Sequence, residues 1–465
     1  MKIKHLLLVT LMGASLALGF SSCSNDDDDI IKNPTESQIT NLSFEDTDLN
    51  VGIIAGTFAW KKPIGYSNLS KIMIYASSDG TKKESKLGEV DAGTESFTIK
   101  SQNYFKYVVV VSVYRDGSEE ENVVNLEIDD LLHGGIYILN SGKQGSNNAN
   151  LVYYNFETAD LTKKLAEKVF ENANNKALGD TGQDIFIYGS KMYIAVYGSG
   201  VIYVTDKSGK TLKTIESTKD GVKQQPRAFT AYEGKIYTTF YDGYLAKIDT
   251  TELYIEKQVK VGRNPENVRA ANGKLFVANS GGMDYNTALG YDKTVSVVDV
   301  ASFTKTEDID VVLNPEKIAV DSEGDIYLIS NGNYGDVPNT LQRIHKEGNK
   351  YVVTKVGNAT WMSMCNDKLY IIYSQYDANW NQTISYHVYD AKTEKMITDN
   401  FITDGTEIKI PPYSISTDSE TNYVYIATSD FKNNGDMYIF TSEGKLVKKF
   451  DTKGINPLGA YYLKK

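Results

Sequence analysis

A short hydrophobic motif recurs along the last two thirds of this chain. It consists of an apolar residue, an aromatic residue and a second apolar or β-branched residue. The seven copies are Ile136-Tyr137-Ile138, Met192-Tyr193-Ile194, Ile236-Tyr237-Thr238, Leu275-Phe276-Val277, Ile326-Tyr327-Leu328, Leu369-Tyr370-Ile371 and Val424-Tyr425-Ile426. They recur every 40–55 residues or so, roughly the period of one four-stranded propeller blade. The pattern predicts an all-β protein with a seven-bladed β-propeller.

Polar turn signals separate the apolar runs. Asn264-Pro265 and Asn314-Pro315 open two of the repeats, and Pro226 and Pro411-Pro412 open two others. Alternation of apolar and polar residues, as in Thr294–Asp299, is typical of a half-buried strand. Each repeat is therefore expected to be a series of short antiparallel strands joined by Gly- and Asn-containing turns.

The first repeat begins at Gly134 without an opening strand, whereas the chain ends with an unpaired one. Asn456-Pro457 there matches Asn264-Pro265 and Asn314-Pro315. We expect this C-terminal strand to complete the first blade, because an open ring would leave two exposed sheet edges. The propeller is thus predicted to span residues 134–465.

Residues 38–130 do not follow this repeat. The runs around Trp60 and from Tyr107 to Tyr114 resemble a small β-sandwich of the immunoglobulin or fibronectin type III kind. We interpret this segment as a spacer that precedes the propeller. A second binding module is the alternative interpretation.

The N-terminus has the pattern of a secretory signal. Lys2 and Lys4 precede an apolar stretch from Leu6 to Phe20 that is too short to span a bilayer stably. Phe20-Ser21-Ser22-Cys23 resembles a lipobox, which predicts a lipoprotein signal peptide at residues 1–22 and lipidation of Cys23. An ordinary cleaved signal with an incidental cysteine is the alternative.

An acidic run, Asp26-Asp27-Asp28-Asp29, follows the lipobox and lies in a predicted tether at residues 23–37. It resembles the export signal of lipoproteins that face outward from an outer membrane. A plain solvated linker would have the same composition.

Charge and composition exclude several classes of function. The formal net charge is -11 and no basic cluster is present, which argues against nucleic acid as a partner. Apart from His5, the only histidines are His133, His345 and His387, so a His-rich metal site is not expected. No cofactor is expected either. Cys365 is expected to be a buried thiol because it lies in the apolar stretch Trp361–Cys365, and no internal disulfide is expected because Cys23 is the only other cysteine.

The loops that follow the aromatic strands are rich in Tyr, Trp, Asn, Ser and Gly. Tyr and Trp provide large, rigid contact faces, while Asn and Ser provide adaptable hydrogen bonds. Seven such loops around one axis predict a ligand-binding face. The candidate residues on and beside these loops are Asn140, Gln183, Tyr197, Arg227, Tyr241, Tyr285, Tyr334, Tyr376, Trp380 and Phe431.

No catalytic set emerges from the sequence. Arg227, Glu266 and Glu316 recur at equivalent turn positions, which is typical of structural turn caps. No Ser–His–Asp set, carboxylate pair or metal cluster can be assembled. The sequence is therefore interpreted as that of a protein without enzymatic activity.

Residues 134–465 resemble the YncE-like surface lipoprotein propellers of the DUF5074 type. The likeness rests on Gly135–Gly142, Ser146–Asn148, Leu178–Gln183, Asn264–Glu266 and Val277–Gly282. That group includes the BtuG cobamide-capture proteins. The resemblance implies an outer-membrane lipoprotein that captures cobalamin or cobinamide on the loop face. It also implies transfer of the ligand to a TonB-dependent transporter.

Three other functions remain open at this point, and one of them is an enzyme such as a propeller lactonase. Trp380 and several Tyr rings could stack on sugars, as in a glycan-binding lipoprotein of a polysaccharide-uptake system. The additional sandwich would also suit a surface-layer or adhesion protein.

Overall fold

The protein is almost entirely β-structure. The computed structural model describes residues 34–46, 53–120, 122–128, 134–156, 164–376 and 382–464. Cys23, Trp380 and His133 lie outside these residues, as does the side chain of Tyr376. Packing divides the chain into two compact units, one centred on Ala55–Lys100 and Phe105–Ile128 and one containing Asp129–Lys465.

The first unit contains two sheets, of which the four-stranded one is antiparallel. One has the order β1-β2-β5 and the other the order β4-β3-β6-β7. The elements are α1 (Pro34–Ser37), β1 (Thr40–Asp46), β2 (Ile53–Lys61), a 3-10 turn (Tyr66–Asn68), β3 (Leu69–Ser77), β4 (Ser85–Asp91), β5 (Ser96–Asn103), β6 (Tyr107–Tyr114) and β7 (Val124–Glu127).

In this unit, burial along β2 alternates from residue to residue, as expected when successive side chains point to opposite faces of a strand. Ile54, Phe58 and Trp60 of β2 are buried while Thr57 and Ala59 between them are exposed. The Trp60 indole N–H donates to the carbonyl of Thr94 at 2.8 Å, which satisfies its polar atom inside the core. Strand β2 thus has the one-sided burial of a β-sandwich strand, whereas β6 is buried along its whole length after Tyr107.

Seven four-stranded antiparallel sheets make up the described part of the second unit. The first contains β8 (Gly134–Asn140), β9 (Asn150–Asn155) and β10 (Leu165–Ala166), which α2 (Val169–Asn174) follows. The second contains β11 (Gly182–Tyr188), β12 (Lys191–Val196), β13 (Val201–Asp206) and β14 (Thr211–Glu216). A short hairpin of β15 (Thr218–Lys219) and β16 (Val222–Lys223) follows.

The remaining sheets repeat the same plan. The third contains β17 (Pro226–Tyr232), β18 (Lys235–Phe240), β19 (Tyr244–Ile248) and β20 (Ile255–Lys260). The fourth contains β21 (Pro265–Ala271), β22 (Lys274–Asn279), β23 (Thr294–Asp299) and β24 (Thr304–Asp310). The fifth contains β25 (Pro315–Val320), β26 (Ile326–Ser330), β27 (Thr340–Glu347) and β28 (Lys350–Gly357). The sixth contains β29 (Trp361–Cys365), β30 (Lys368–Tyr376), β31 (Gln382–Asp390) and β32 (Lys395–Thr398). The seventh contains β33 (Pro412–Thr417), β34 (Val424–Thr428), β35 (Asp436–Phe440) and β36 (Leu446–Asp451).

The last strand, β37 (Pro457–Lys464), pairs with β8 and forms the inner strand of the first sheet. This is the pairing expected from the match between Asn456-Pro457 and the Asn-Pro turns that open other repeats. The inner strands β37, β11, β17, β21, β25, β29 and β33 contact one another in that order, and β33 contacts β37 again. Their contacts form a closed ring, the arrangement of a β-propeller.

The recurring hydrophobic motif marks the second strand of each sheet. In β12 and β22 every residue after the first lysine is buried, whereas β24 in the fourth sheet is exposed except for Ile309. Second strands are buried on both faces because neighbouring sheets pack face to face. Tyr193, Tyr237 and Tyr327 are fully buried at these sheet interfaces. The motif is therefore a signature of packing.

Candidate functional site

The beginnings of the inner strands and the ends of the second strands lie at the same end of the ring. Pro226 pairs with Phe240, Pro265 with Asn279 and Pro457 with Asn140. The loops after the second strands therefore surround the first residues of the inner strands. We refer to this end of the ring as the loop face.

A β-bulge reshapes the start of six of the seven inner strands. The register shifts directly after Gly182, Pro226, Pro265, Pro315, Pro412 and Pro457. The pairing of β29 with β30 runs without such a shift. A bulge redirects a side chain that regular pleating would place elsewhere, and bulges are common next to functional sites.

The residues next to these shifts line a central cavity of about 720 Å³, a volume in the range of small-molecule pockets. We call the set nearest the loop face the mouth ring. It contains one residue from each sheet: Leu458, Gln183, Arg227, Glu266, Glu316, Trp361 and Tyr413.

One half of the mouth ring is polar and internally paired. The Arg227 guanidinium donates to Glu266 Oε2 from Nε at 2.7 Å and to Gln183 Oε1 from Nη1 at 3.0 Å. Lys317, the neighbour of Glu316, lies 2.7 Å from Glu316 Oε1. These four charged groups are two acids and two bases, so their formal charges cancel.

The pKa shifts of Arg227, Glu316 and Lys317 favour the charged forms of these three groups. Burial opposes the charge of Arg227, but the Glu266 carboxylate outweighs it, so the pKa of Arg227 rises above its usual range. Burial likewise opposes ionisation of Glu316, but Lys317 outweighs it and the pKa of Glu316 falls. The mouth therefore presents fixed dipoles without net charge.

Aromatic rings hold the Arg227 guanidinium in place. Its carbon lies 5.1 Å from the centre of the Tyr197 ring and 4.7 Å from that of Tyr241. Those two rings meet edge to face at 5.7 Å. Each nitrogen of the Arg227 guanidinium therefore already has an acceptor within the protein, and the side chain forms a fixed wall of the mouth.

The other half of the mouth ring is aromatic. The rings of Trp361 and Tyr413 lie 5.9 Å apart, and Phe431 meets Tyr413 edge to face at 5.5 Å. Phe431 is 66% exposed and continues this wall outward from the mouth. The mouth therefore combines aromatic rings with a polar, charge-balanced wall, and the two meet where the Lys317 ammonium lies 5.1 Å from the centre of the Trp361 ring.

A second layer of polar side chains lies deeper in the cavity lining. Asp184 Oδ2 accepts a hydrogen bond from the N–H of Phe229 at 2.8 Å, and its Oδ1 accepts one from the Tyr461 hydroxyl at 3.3 Å. Burial raises the pKa of Asp184 to about 6, although Arg269 opposes the shift. We call Asp184, Arg269 and Tyr461 the channel layer.

The structure brings some of the sequence-predicted residues together and separates others. Gln183 and Arg227 belong to the polar half of the mouth ring, Tyr197 and Tyr241 pack beside Arg227, and Phe431 packs against Tyr413 of the aromatic half. Tyr285 and Tyr334 lie farther out on the loop face, 58% and 74% exposed, with Tyr291 near both rings.

Asn140 occupies a buried structural position. It is fully buried, and its amide donates to Asn150 Oδ1 at 2.9 Å and to the carbonyl of Thr452 at 2.8 Å. Gly454 packs so closely on it that an added Cβ would lie 2.5 Å from the amide carbon. Asn279 and Gly262 repeat this arrangement in the fourth sheet. The pairing joins one sheet to the next.

Several residues of the site were absent from the sequence-based set. The interpretation of Glu266 and Glu316 as turn caps needs correction, because both line the cavity. Trp361, Tyr413 and Lys317 were not selected at all. The available signal was their shared position near the start of an inner strand, directly after the turn proline in the case of Glu266, Glu316 and Tyr413.

A Ser–His–Asp series also exists that the sequence does not reveal. Ser385 Oγ lies 2.7 Å from His387 Nε2, and His387 Nδ1 lies 3.2 Å from Asp399 Oδ1. These residues are outside the cavity lining. Asp399 is 83% exposed, so solvent competes for the contact that would orient the imidazole. The series therefore does not resemble a pre-organised catalytic triad.

A metal-binding cluster and a membrane-spanning helix are both absent from the described residues. Within them, no group of three or more His, Cys, Asp or Glu side chains could hold a metal ion. No helix in the same part of the chain is long and apolar enough to cross a membrane. Cys365 is a buried free thiol, as the sequence predicts.

Comparison with known proteins identifies no family for this chain. No protein-family model matches the chain. No curated protein matches it either. Similar solved structures include a quinonprotein alcohol dehydrogenase-like protein from Bacteroides thetaiotaomicron, with 15% identity, coverage of 94% of this chain and 98% of that one, and a TM-score of 0.49. Hydrazine synthase of Kuenenia stuttgartiensis has 14% identity, 60% and 93% coverage and a TM-score of 0.48. The dihydro-heme d1 dehydrogenase NirN has 11% identity, 85% and 75% coverage and a TM-score of 0.43.

These neighbours correct one prediction. The interpretation as a protein without enzymatic activity is wrong as an inference from this architecture, since hydrazine synthase and NirN are among the similar structures. The propeller by itself leaves enzymatic status open. What the fold supplies is a scaffold that presents loops and a central cavity for binding.

Proposed function

We propose that this protein captures a cobamide, cobalamin or cobinamide, at the mouth of its central cavity. The observation that carries the proposal is the division of the mouth ring into an aromatic wall and a polar wall without net charge. A corrin is a broad, partly apolar disc with amide groups at its edge. Its face would lie against Trp361, Tyr413 and Phe431, while its amides would exchange hydrogen bonds with the polar wall.

The dimensions of the site suit a ligand that sits over the mouth. A cavity of about 720 Å³ accepts part of such a disc, and the exposed rings of Tyr285 and Tyr334 are placed to contact the remainder. The resemblance to YncE-like surface lipoproteins of the DUF5074 type, which include the BtuG proteins, supports the same ligand class.

The test is calorimetry on the soluble chain from Ile30 onward with cyanocobalamin and cobinamide. We expect one-to-one binding that weakens at least about tenfold in Trp361→Ala and in Tyr413→Ala, because each loses an aromatic contact face. Tyr254→Ala is the matched control. It removes an aromatic side chain that is 51% exposed in the β19–β20 loop, at the other end of the third sheet.

Unchanged affinity in folded Trp361→Ala and Tyr413→Ala would move the ligand away from the mouth. Absence of binding to either corrinoid would overturn the ligand class.

A glycan is the second candidate, favoured by the exposed rings of Tyr285, Tyr334 and Phe431. Sugars stack on such rings through their C–H faces. Retention of the protein on immobilised glycans, together with silence toward corrinoids, would support this candidate.

We further propose that the protein is held outside the outer membrane by lipid on Cys23 and delivers its ligand to a TonB-dependent transporter. The lipobox-like segment before Cys23 and the acidic run after it support this placement. Cys23→Ser should abolish fatty-acid labelling and release the protein from membranes. Membrane retention of that variant would argue against the anchor, and failure to co-purify with a transporter would argue against the partner.

A further inference from the structure

The channel layer contains an arginine whose binding edge is unoccupied. Arg269 lines the cavity on β21, and its Nη1 donates to the carbonyls of Val268 at 2.8 Å and Phe229 at 3.2 Å. Within the described part of the chain, no group accepts a hydrogen bond from its Nε or Nη2, and no carboxylate lies within ion-pair distance. Both anchoring contacts are to neutral carbonyl oxygens.

Arg269 differs from Arg227 in this respect. Arg227 donates to Glu266 from Nε and Nη2 and to Gln183 from Nη1, and it lies beside two tyrosine rings, so each of its nitrogens has an acceptor. A part-buried guanidinium without a carboxylate partner is costly in a folded protein unless an acceptor satisfies it. The Nε and Nη2 donors of an arginine are parallel and match the two oxygens of a carboxylate or phosphate.

We propose that Arg269 is the base of an oxyanion-binding subsite in the channel, which takes a carboxylate or a phosphate group that enters through the mouth. The subsite lies below the mouth ring, and the inference does not depend on the identity of the ligand proposed above.

Asp184 makes this subsite sensitive to pH. Asp184 accepts a hydrogen bond from the N–H of Phe229, and Arg269 donates to the carbonyl of the same residue, so the two side chains flank one residue of β17. The groups whose charge or ionisation acts on Asp184 are Arg269 of β21 and Tyr461 of β37. Burial raises the pKa of Asp184 to about 6 and holds the pKa of Tyr461 well above its usual range.

The direction in which pH changes the anion affinity follows from the negative charges of the anion and of ionised Asp184. An anion on Arg269 disfavours the ionised form of Asp184, so binding is accompanied by proton uptake and is tighter where Asp184 is protonated. Affinity should therefore fall as the pH rises through the pKa of Asp184. If the anion binds only when Asp184 is protonated, the affinity falls by about 30-fold between about pH 5 and about pH 7.5.

The experiment uses trifluoroacetate as the carboxylate probe, followed by ¹⁹F line width on the full soluble chain at constant ionic strength. Inorganic sulfate, a tetrahedral stand-in for phosphate, is added as a competitor. Both probes remain ionised across this pH range. Preferential displacement by sulfate would assign the subsite to phosphate groups, and resistance to sulfate would assign it to carboxylates.

Three variants test the assignment. Arg269→Gln should abolish binding, whereas Arg115→Gln, which removes an exposed arginine of the first unit, should leave it unchanged. Asp184→Asn should bind at about pH 7.5 as tightly as the wild type does at about pH 5, with no remaining pH dependence. Because Asp184→Asn predicts a gain, it tests the inference even if Arg269→Gln does not fold.

Equal binding by the wild type and a folded Arg269→Gln would overturn the proposal. So would a wild-type affinity that does not change with pH, or an absence of binding at about pH 5.

Discussion

Individual side chains show why the mouth is rigid before any ligand arrives. Arg227 has partners on three sides: the Glu266 carboxylate, the Gln183 amide and the faces of Tyr197 and Tyr241. Ser280 also lies 3.3 Å from Glu266 Oε1, so the carboxylate is itself fixed. Pre-organisation of this kind lowers the cost of ordering side chains when a ligand binds.

Replacement of Glu266 by Gln tests this network through stability. The substitution leaves a largely buried guanidinium without its anion, and we expect the free energy of unfolding to fall by about 2–4 kcal/mol. Chemical denaturation measures the change. Glu216→Gln, which removes the anion of the exposed Lys223–Glu216 pair, should cost less than about 1 kcal/mol. Equal effects of the two changes would contradict the role assigned to Glu266.

The acidity of Asp184 gives a second prediction at the residue scale. Burial raises its pKa to about 6 in the folded protein, well above the ordinary value of an aspartate, so the folded state holds the proton more tightly than the unfolded state. The resulting stabilisation is fully present below about pH 4 and is lost as the pH rises through about 6. A shift of this size corresponds to about 3 kcal/mol.

Asp184→Asn should remove this dependence. The difference in unfolding free energy between variant and wild type should change across pH 4–6 or so and become constant above it. Denaturant titrations at a series of pH values measure the difference. Parallel pH profiles for the two proteins would show that Asp184 has an ordinary pKa in the folded state.

Single strands determine which side chains reach the cavity. The six bulged inner strands carry Gln183, Arg227, Glu266, Glu316, Tyr413 and Leu458 to the mouth, and the unbulged β29 contributes Trp361 at its first residue. Asn264 and Asn314 precede two of these strands with φ of 47° and 62°. Asparagine tolerates this left-handed conformation better than most residues, which explains the Asn-Pro turns.

The C-terminal strand carries the third prediction. Removal of residues 455–465 takes β37 from its pairing with β8 and from its contacts with β11 and β33. The edge of β8 would then be open, and we expect aggregation in place of a soluble fold. Light scattering and circular dichroism measure the outcome. Removal of Lys465 alone is the control, and a soluble, folded protein without 455–465 would contradict the closure of the ring by β37.

The whole molecule combines a strongly repetitive scaffold with a mouth that is not repetitive. Second strands have nearly the same pattern in all seven sheets because each meets the same environment, a neighbouring sheet on either face. Mouth positions differ from sheet to sheet, from leucine to arginine to tryptophan. Such variation at equivalent places is typical of a binding surface carried by a repeated fold.

The sequence by itself determined the all-β architecture, the seven repeats and the role of Asn456-Pro457, because these depend on local periodicity and turn chemistry. It also identified Gln183, Tyr197, Arg227, Tyr241 and Phe431 near the cavity. Only the tertiary structure separated Asn140, which is buried between sheets, from residues at the mouth. It alone brought Asp184, Arg269 and Tyr461 together from three strands far apart in the chain. The physical reason is that the register shifts at the bulges and the packing of strands distant in the sequence decide which side chains face the channel, and the periodicity of a single strand contains neither.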